Sequence, residues 1–193
     1  MKKAKFIIIG LACICLICFG FYSFTKDRET VEKDLTEVEK LIVKDLDKSY
    51  PKTPREVVKF YMRINRCFYG EELSDEQVNE LVDQTLLLLD EDLLAENPRD
   101  KFYDSIVLEM KEAKSDNITV VSVDVCDTNE VKRIDDKKGD GTIDKLAYVN
   151  GNYFINYDGS FVYSYKEFVL RQDDDGRWKI ITFYDVEGER LED

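Results

Sequence analysis

Histidine is absent from the 193 residues. Its absence removes the side chain that titrates near neutral pH, the commonest metal ligand, and every Ser-His or Cys-His nucleophile pair. Catalysis would then fall to carboxylates, tyrosine or lysine with strongly tuned pKa values. Positive charge is also scarce: 28 Lys and Arg stand against 41 Asp and Glu, a net −13. Lys2, Lys3 and Lys5 are the only charges before residue 25, so the remainder carries −13 − 3 = −16. A surface that acidic repels phosphate backbones, and no basic stripe offsets it, which excludes nucleic acid as a partner. No catalytic motif or cofactor fingerprint stands out, so the expectation is a non-enzymatic protein with no cofactor and no metal. Proline occurs three times, at Pro51, Pro54 and Pro98, and each marks a boundary.

One long apolar run is present. Residues 6–24, Phe6 to Phe24, contain no charge. At about 1.5 Å per residue they span roughly 28 Å, close to the roughly 30 Å of a bilayer core. Three lysines precede the run, as in a signal-anchor, and Tyr22 suits the far interface. No Ala-x-Ala pattern follows for cleavage, and Gly10 stands where a lipoprotein before Cys13 would carry leucine. The expectation is a cytoplasmic tail at 1–5, a transmembrane anchor at 6–24 in the lipid bilayer, and an extracytoplasmic domain. A short tail with three lysines is hard to translocate.

Beyond the anchor, residues 25–50 read as an amphipathic stalk. Val31, Leu35, Val38, Ile42 and Leu46 recur at spacings of four and three. Such a stripe needs cover, from the chain's own domain or from a second copy. The domain itself occupies 51–190. Its first helix, about 54–68, turns Val57, Tyr61, Ile64 and Phe68 inward and stops at Gly70. A second opens with a capping box, Ser74 and Gln77, and its Leu86–Leu89 run predicts a helix covered on more than one face. A third opens with Asn97 as cap and Pro98, with Phe102, Ile106, Val107 and Met110 inward. From residue 117 the period falls to two. Strands are expected at 117–125, 142–156, 161–171 and 178–186, with hairpins at Asp158-Gly159 and Asp175-Gly176. Helices first and an antiparallel meander afterwards make an α+β domain.

That order, with a last strand opening on Gly176, Arg177, Trp178, Lys179 and Ile180, resembles the NTF2-like superfamily over about 51–188. The stretches Thr53–Val58 and Asn97–Asp100 also resemble membrane-anchored proteins of clostridia-type bacteria. The superfamily resemblance implies a curved antiparallel sheet wrapped around helices as a cone. It does not imply one function, since that fold hosts isomerases, dehydratases, carrier pockets and secretion scaffolds.

Three residues form the candidate site. A two-residue turn at Asp158-Gly159 sets Ile155 opposite Val162, Tyr153 opposite Ser164, Gly151 opposite Lys166 and Val149 opposite Phe168. Lys166 is then the one charge on an apolar face, beside the space left by a glycine. Tyr153, Ser164 and Lys166 are the candidate ligand-binding residues, suited to an anion; a lysine snorkelling at the sheet edge is the plainer reading. The fourth strand is apolar on both faces, Trp178 and Ile180 on one and Ile181 and Phe183 on the other, which asks for the stalk or a partner protein of the envelope as cover. The tyrosines are read as strand formers. Cys67 and Cys126 either form a disulfide or stay reduced and half-buried. Asp136, Asp140, Gly141, Ile143 and Asp144 mimic part of a calcium loop, but Lys138 and Ala147 occupy ligand positions, and a charged hairpin turn is expected instead.

Overall fold

The computed structural model describes residues 35–187, so the tail at 1–5, the anchor at 6–24 and the stalk up to residue 34 lie outside the described residues. The chain divides into two compact units, Met1–Lys40 and Leu41–Asp193. Helix α1 (Glu37–Ile42) opens at Thr36 with a reciprocal cap: the Thr36 hydroxyl accepts from the Glu39 N–H at 3.2 Å, and the Glu39 carboxylate accepts the Thr36 N–H at 2.7 Å. The expected stalk helix does not continue to residue 50 but ends at Ile42. It gives way to a turn in which Asp45 Oδ1 accepts from the N–H groups of Asp47 and Lys48, both at 3.1 Å. A short carboxylate that can bond its own backbone competes with helix, and here it wins. The apolar phase shifts accordingly. Leu41 and Leu46 are buried in the second unit, Ile42 is half-buried, and Val43 is exposed.

The second unit is α+β, with its helices before its sheet. Helix α2 (Pro54–Gly70) starts at Thr53 with a capping box through Glu56 and Pro54 in the first turn. Nine of its seventeen residues are buried, so it is a central helix with more than one face covered. Gly70 is its last residue rather than a left-handed stop. What requires glycine there is the approach of the Val120 carbonyl oxygen, 2.7 Å from where a Cβ would stand. Helix α3 (Asp75–Leu86) has the expected Ser74 and Gln77 box. The Leu86–Leu89 run is not a sandwiched helix. The helix ends at Leu86, and the chain pairs with the last strand instead: Ile180 N–H donates to Leu88 O and Asp90 N–H to Ile180 O, both at 2.9 Å.

A short helix α4 (Glu91–Glu96), capped by Asp90, precedes α5 (Arg99–Ser115). Asn97 does not cap α5. Its amide donates backward to Leu93 O at 2.9 Å, and Pro98 takes the cap position without a side-chain bond.

Five antiparallel strands follow: β1 (Ile118–Val125), β2 (Lys132–Lys137), β3 (Ile143–Tyr157), β4 (Ser160–Gln172) and β5 (Trp178–Asp185). The order is β1-β3-β4-β5, and β2 pairs with the first half of β3 while β1 pairs with the second half. Sequence reading missed β2. Its residues, Lys-Arg-Ile-Asp-Asp-Lys, are all exposed and carry no apolar alternation to find. The suspected calcium loop is this β2–β3 hairpin: Asp136 sits opposite Asp144, and Lys138 pairs with Asp144 at 2.8 Å.

Two bulges bend the sheet. In β1, Val121 has no partner, because Val120 faces Ile155 and Ser122 faces Phe154. Val120 and Val125 are consequently both buried while Val121 is exposed, because the bulge reverses which residues of β1 face inward. In β5, Ile181 is the extra residue between Ile180, opposite Leu170, and Thr182, opposite Val169. The bulge puts Trp178, Ile180 and Phe183 on one face with Leu170 and Phe168. The expectation of a second apolar surface around Ile181 and Phe183 therefore fails: Phe183 packs 5.9 Å from Tyr61 of α2 and 5.5 Å from Phe168.

Candidate functional site

Between α2, α5 and the helix-facing side of the sheet lies a cavity of about 530 Å³. Helix α2 supplies Tyr61, Asn65 and Tyr69, spaced by four and therefore stacked on one stripe. Helix α5 supplies Phe102, Ile106 and Glu109, with Glu112, Ala113 and Asp116 at its end. The sheet completes the wall with Ile118 and Val120 of β1, Tyr153 and Ile155 of β3, Ser164 and Lys166 of β4, and Phe183 of β5.

All three residues singled out from the sequence line this one cavity. The turn residues Asp158 (φ 47°) and Gly159 (φ 86°) make the two-residue hairpin, and every pair expected from it is observed, Tyr153 opposite Ser164 and Gly151 opposite Lys166 among them. Two details differ. The space at Gly151 is not open, because Met62 of α2 fills it, with its sulfur 2.6 Å from where a Cβ would stand. Lys166 does not await an anion either: its Nζ lies 2.5 Å from Asp185 Oδ1 on the neighbouring strand.

The polar groups are organised in pairs. The Tyr69 hydroxyl donates to Glu109 Oε2 at 2.5 Å, and the Asn65 amide donates to the Tyr153 oxygen at 3.3 Å. Burial pushes the phenol of Tyr61 up to about 12 and raises those of Tyr153 and Tyr69, Tyr69 further through the Glu109 carboxylate it bonds. At neutral pH the cavity thus carries protonated phenols on a mostly apolar wall.

Sequence reasoning did not find Asn65, Tyr69 or Glu109. The available signal was an amide and a second tyrosine continuing the stripe that Tyr61 begins, where a helix packed only for stability would carry apolar residues. A smaller cavity of about 330 Å³ adjoins, sharing Tyr69, Ala113 and Ile118 and edged by Glu71, Glu72, Lys111 and Lys114.

The cysteines settle differently. Cys67 is buried near the C-terminal end of α2, whereas the Cys126 carbonyl accepts from Arg55 Nε at 2.6 Å near its start. Twelve residues of helix separate Arg55 from Cys67, about 18 Å along the axis, and bridged cysteines need Cα atoms within about 7 Å. The geometry supports two reduced thiols, not a bridge.

A family described as "Domain of unknown function (DUF6715)" matches residues 1–183. No curated protein matches the chain.

Proposed function

Since the chain belongs to the DUF6715 family, whose description carries no activity, we propose from its cavity that it is a small-molecule-binding module held at the cell envelope. The cavity carries this reading. It is large enough for a metabolite-sized ligand, mainly apolar, and set with a few converging polar groups, as binding pockets are. Protonated phenols and a lysine already engaged by Asp185 offer donors and apolar surface, which favours holding a molecule over transforming it. The helices-then-sheet order and the bulge-bent sheet support an NTF2-like plan for residues 51–190. The charge-free segment 6–24 supports a bilayer anchor with the domain outside.

Two measurements test the reading. Nile red should fluoresce on binding the protein, and Ala113→Trp, which places an indole in the cavity, should abolish the signal without lowering the melting temperature. Equal fluorescence from both proteins, against matched lipid or detergent blanks, would place the dye elsewhere and count against the cavity. For topology, an epitope tag after Asp193 should be digested by protease added to intact cells; a tag protected until lysis would reverse the orientation.

A second reading, a scaffold subunit of an envelope assembly, draws on the opposite face of the sheet. Phe161 and Tyr163 are 59% and 58% exposed there, and the Phe154 ring stacks 5.2 Å from Phe161. Replacing Phe161 and Tyr163 by serine should release a protein partner and leave Nile red binding unchanged if that face is a contact.

A further inference from the structure

Resting on the cavity reading above, we propose that the ligand is an apolar molecule bearing a protonated amine, its amine held at the α5 end of the cavity. Three observations converge on a cation.

The first is charge. Glu109, Glu112 and Asp116 line the wall, and among the described residues none of the three forms an ion pair. Lys111 and Lys114 of the same helix line the neighbouring cavity instead, where Lys114 pairs with Glu72 at 3.0 Å. Among the described residues the one cation lining the larger cavity is Lys166, and it is paired with Asp185 at 2.5 Å. A cleft with low-dielectric walls focuses such a field toward its interior.

The second is the helix itself. The lining residues Glu112 and Ala113 belong to the last turn of the seventeen-residue α5, and Asp116 caps it, where the aligned peptide dipoles leave partial negative charge. The third is the rings. Tyr61, Tyr69, Phe102, Tyr153 and Phe183 all line the cavity, and the face of an aromatic ring attracts a cation and repels an anion. These terms act in the same direction, against the anion expected from Lys166 alone. The apolar part of the ligand then lies along Ile106, Ile118, Val120 and Ile155.

The test uses three probes of one body and different heads: 4-phenylbutylamine, 4-phenylbutan-1-ol and 4-phenylbutanoate. Each is titrated calorimetrically into the full chain in zwitterionic nanodiscs, with empty discs subtracted. The amine should bind about tenfold tighter than the carboxylate, with the alcohol between, and its advantage should shrink as salt rises. Glu109→Gln, Glu112→Gln and Asp116→Asn together should erase the amine's advantage and leave the alcohol's affinity in place. Equal affinities for the three heads, or a preference for the carboxylate, overturn the cation assignment while the cavity reading stands. No binding of any probe to the wild-type chain at millimolar concentration overturns both.

Discussion

At Gly70 an added methyl group would stand 2.7 Å from the carbonyl oxygen of Val120, a backbone atom held by the pairing of β1 with β3. Alanine gains up to about 1 kcal/mol in helix propensity over glycine, but a clash with backbone costs about 1–3 kcal/mol. Gly70→Ala should therefore lower stability in urea unfolding, whereas Gly139→Ala, with nothing within 4 Å, should be neutral. A Gly70→Ala protein as stable as its parent would mean that helix and strand slide apart at no cost. Gly70 was visible in the sequence as a helix end; its contact with β1 was not, because a glycine that stops a helix and one that admits a carbonyl look alike. The thiols offer a second check at this scale. Cys126 is half-exposed, with its thiol pKa pushed up by burial, and Cys67 is fully buried. In mapped alkylation under native conditions, iodoacetamide should label Cys126 slowly, faster as pH rises, and Cys67 only on unfolding. A Cys67–Cys126 peptide after mild oxidation would contradict the placement of the two at opposite ends of α2.

Single contacts also decide how whole elements are held. The segment that follows α3 is held to the sheet by Arg171 of β4, whose guanidinium forks onto buried Asp90, reaches Asp92 at 2.6 Å and stands 3.8 Å from Asp144. Asp90 is 3% exposed and also caps α4, so removing its partner strands a buried carboxylate. Arg171→Met should cost about 3 kcal/mol, and Asp90→Asn in that background should recover part of it, since an amide keeps the cap without the charge. Chemical denaturation of the three proteins checks this; a silent Arg171→Met would reduce the cluster to surface decoration. Elements differed in how far the sequence disclosed them. The capping boxes at Thr53 and Ser74 and the Asp158-Gly159 turn are local chemistry, and they fixed α2, α3 and the β3–β4 register. The pairing of Leu88 and Asp90 with β5 is a contact across some ninety residues, and four leucines in a row give no hint of it.

For the molecule as a whole, buried Tyr61 and half-buried Tyr50, Tyr69 and Tyr153 set an alkaline limit. Tyr61 holds its proton up to about 12, and burial raises Tyr50, Tyr69 and Tyr153 as well. Unfolded phenols ionise near about 10, so above that pH the unfolded chain binds fewer protons than the folded one, and stability falls as pH rises. The contribution is complete below about pH 10 and lost through the folded values. Urea midpoints at successive pH values from 8 to 11.5, followed with tyrosinate absorbance, should decline together with a late step in ionisation. A flat midpoint with all phenols titrating near 10 would show the four rings to be wetter than their packing implies. The sequence disclosed the class of this fold and one wall of its cavity, through periodicity and one turn; the other wall is α2 against α5, a matter of packing between elements that periodicity cannot rank. The unpaired residues Val121 and Ile181 have a further consequence, for the family rather than the protein. Each shifts the inward-outward parity of everything after it on its strand, much as an inserted letter shifts a reading frame. Members lacking either residue should show a one-position gap there, and the inward side chains after it should fall on the opposite parity.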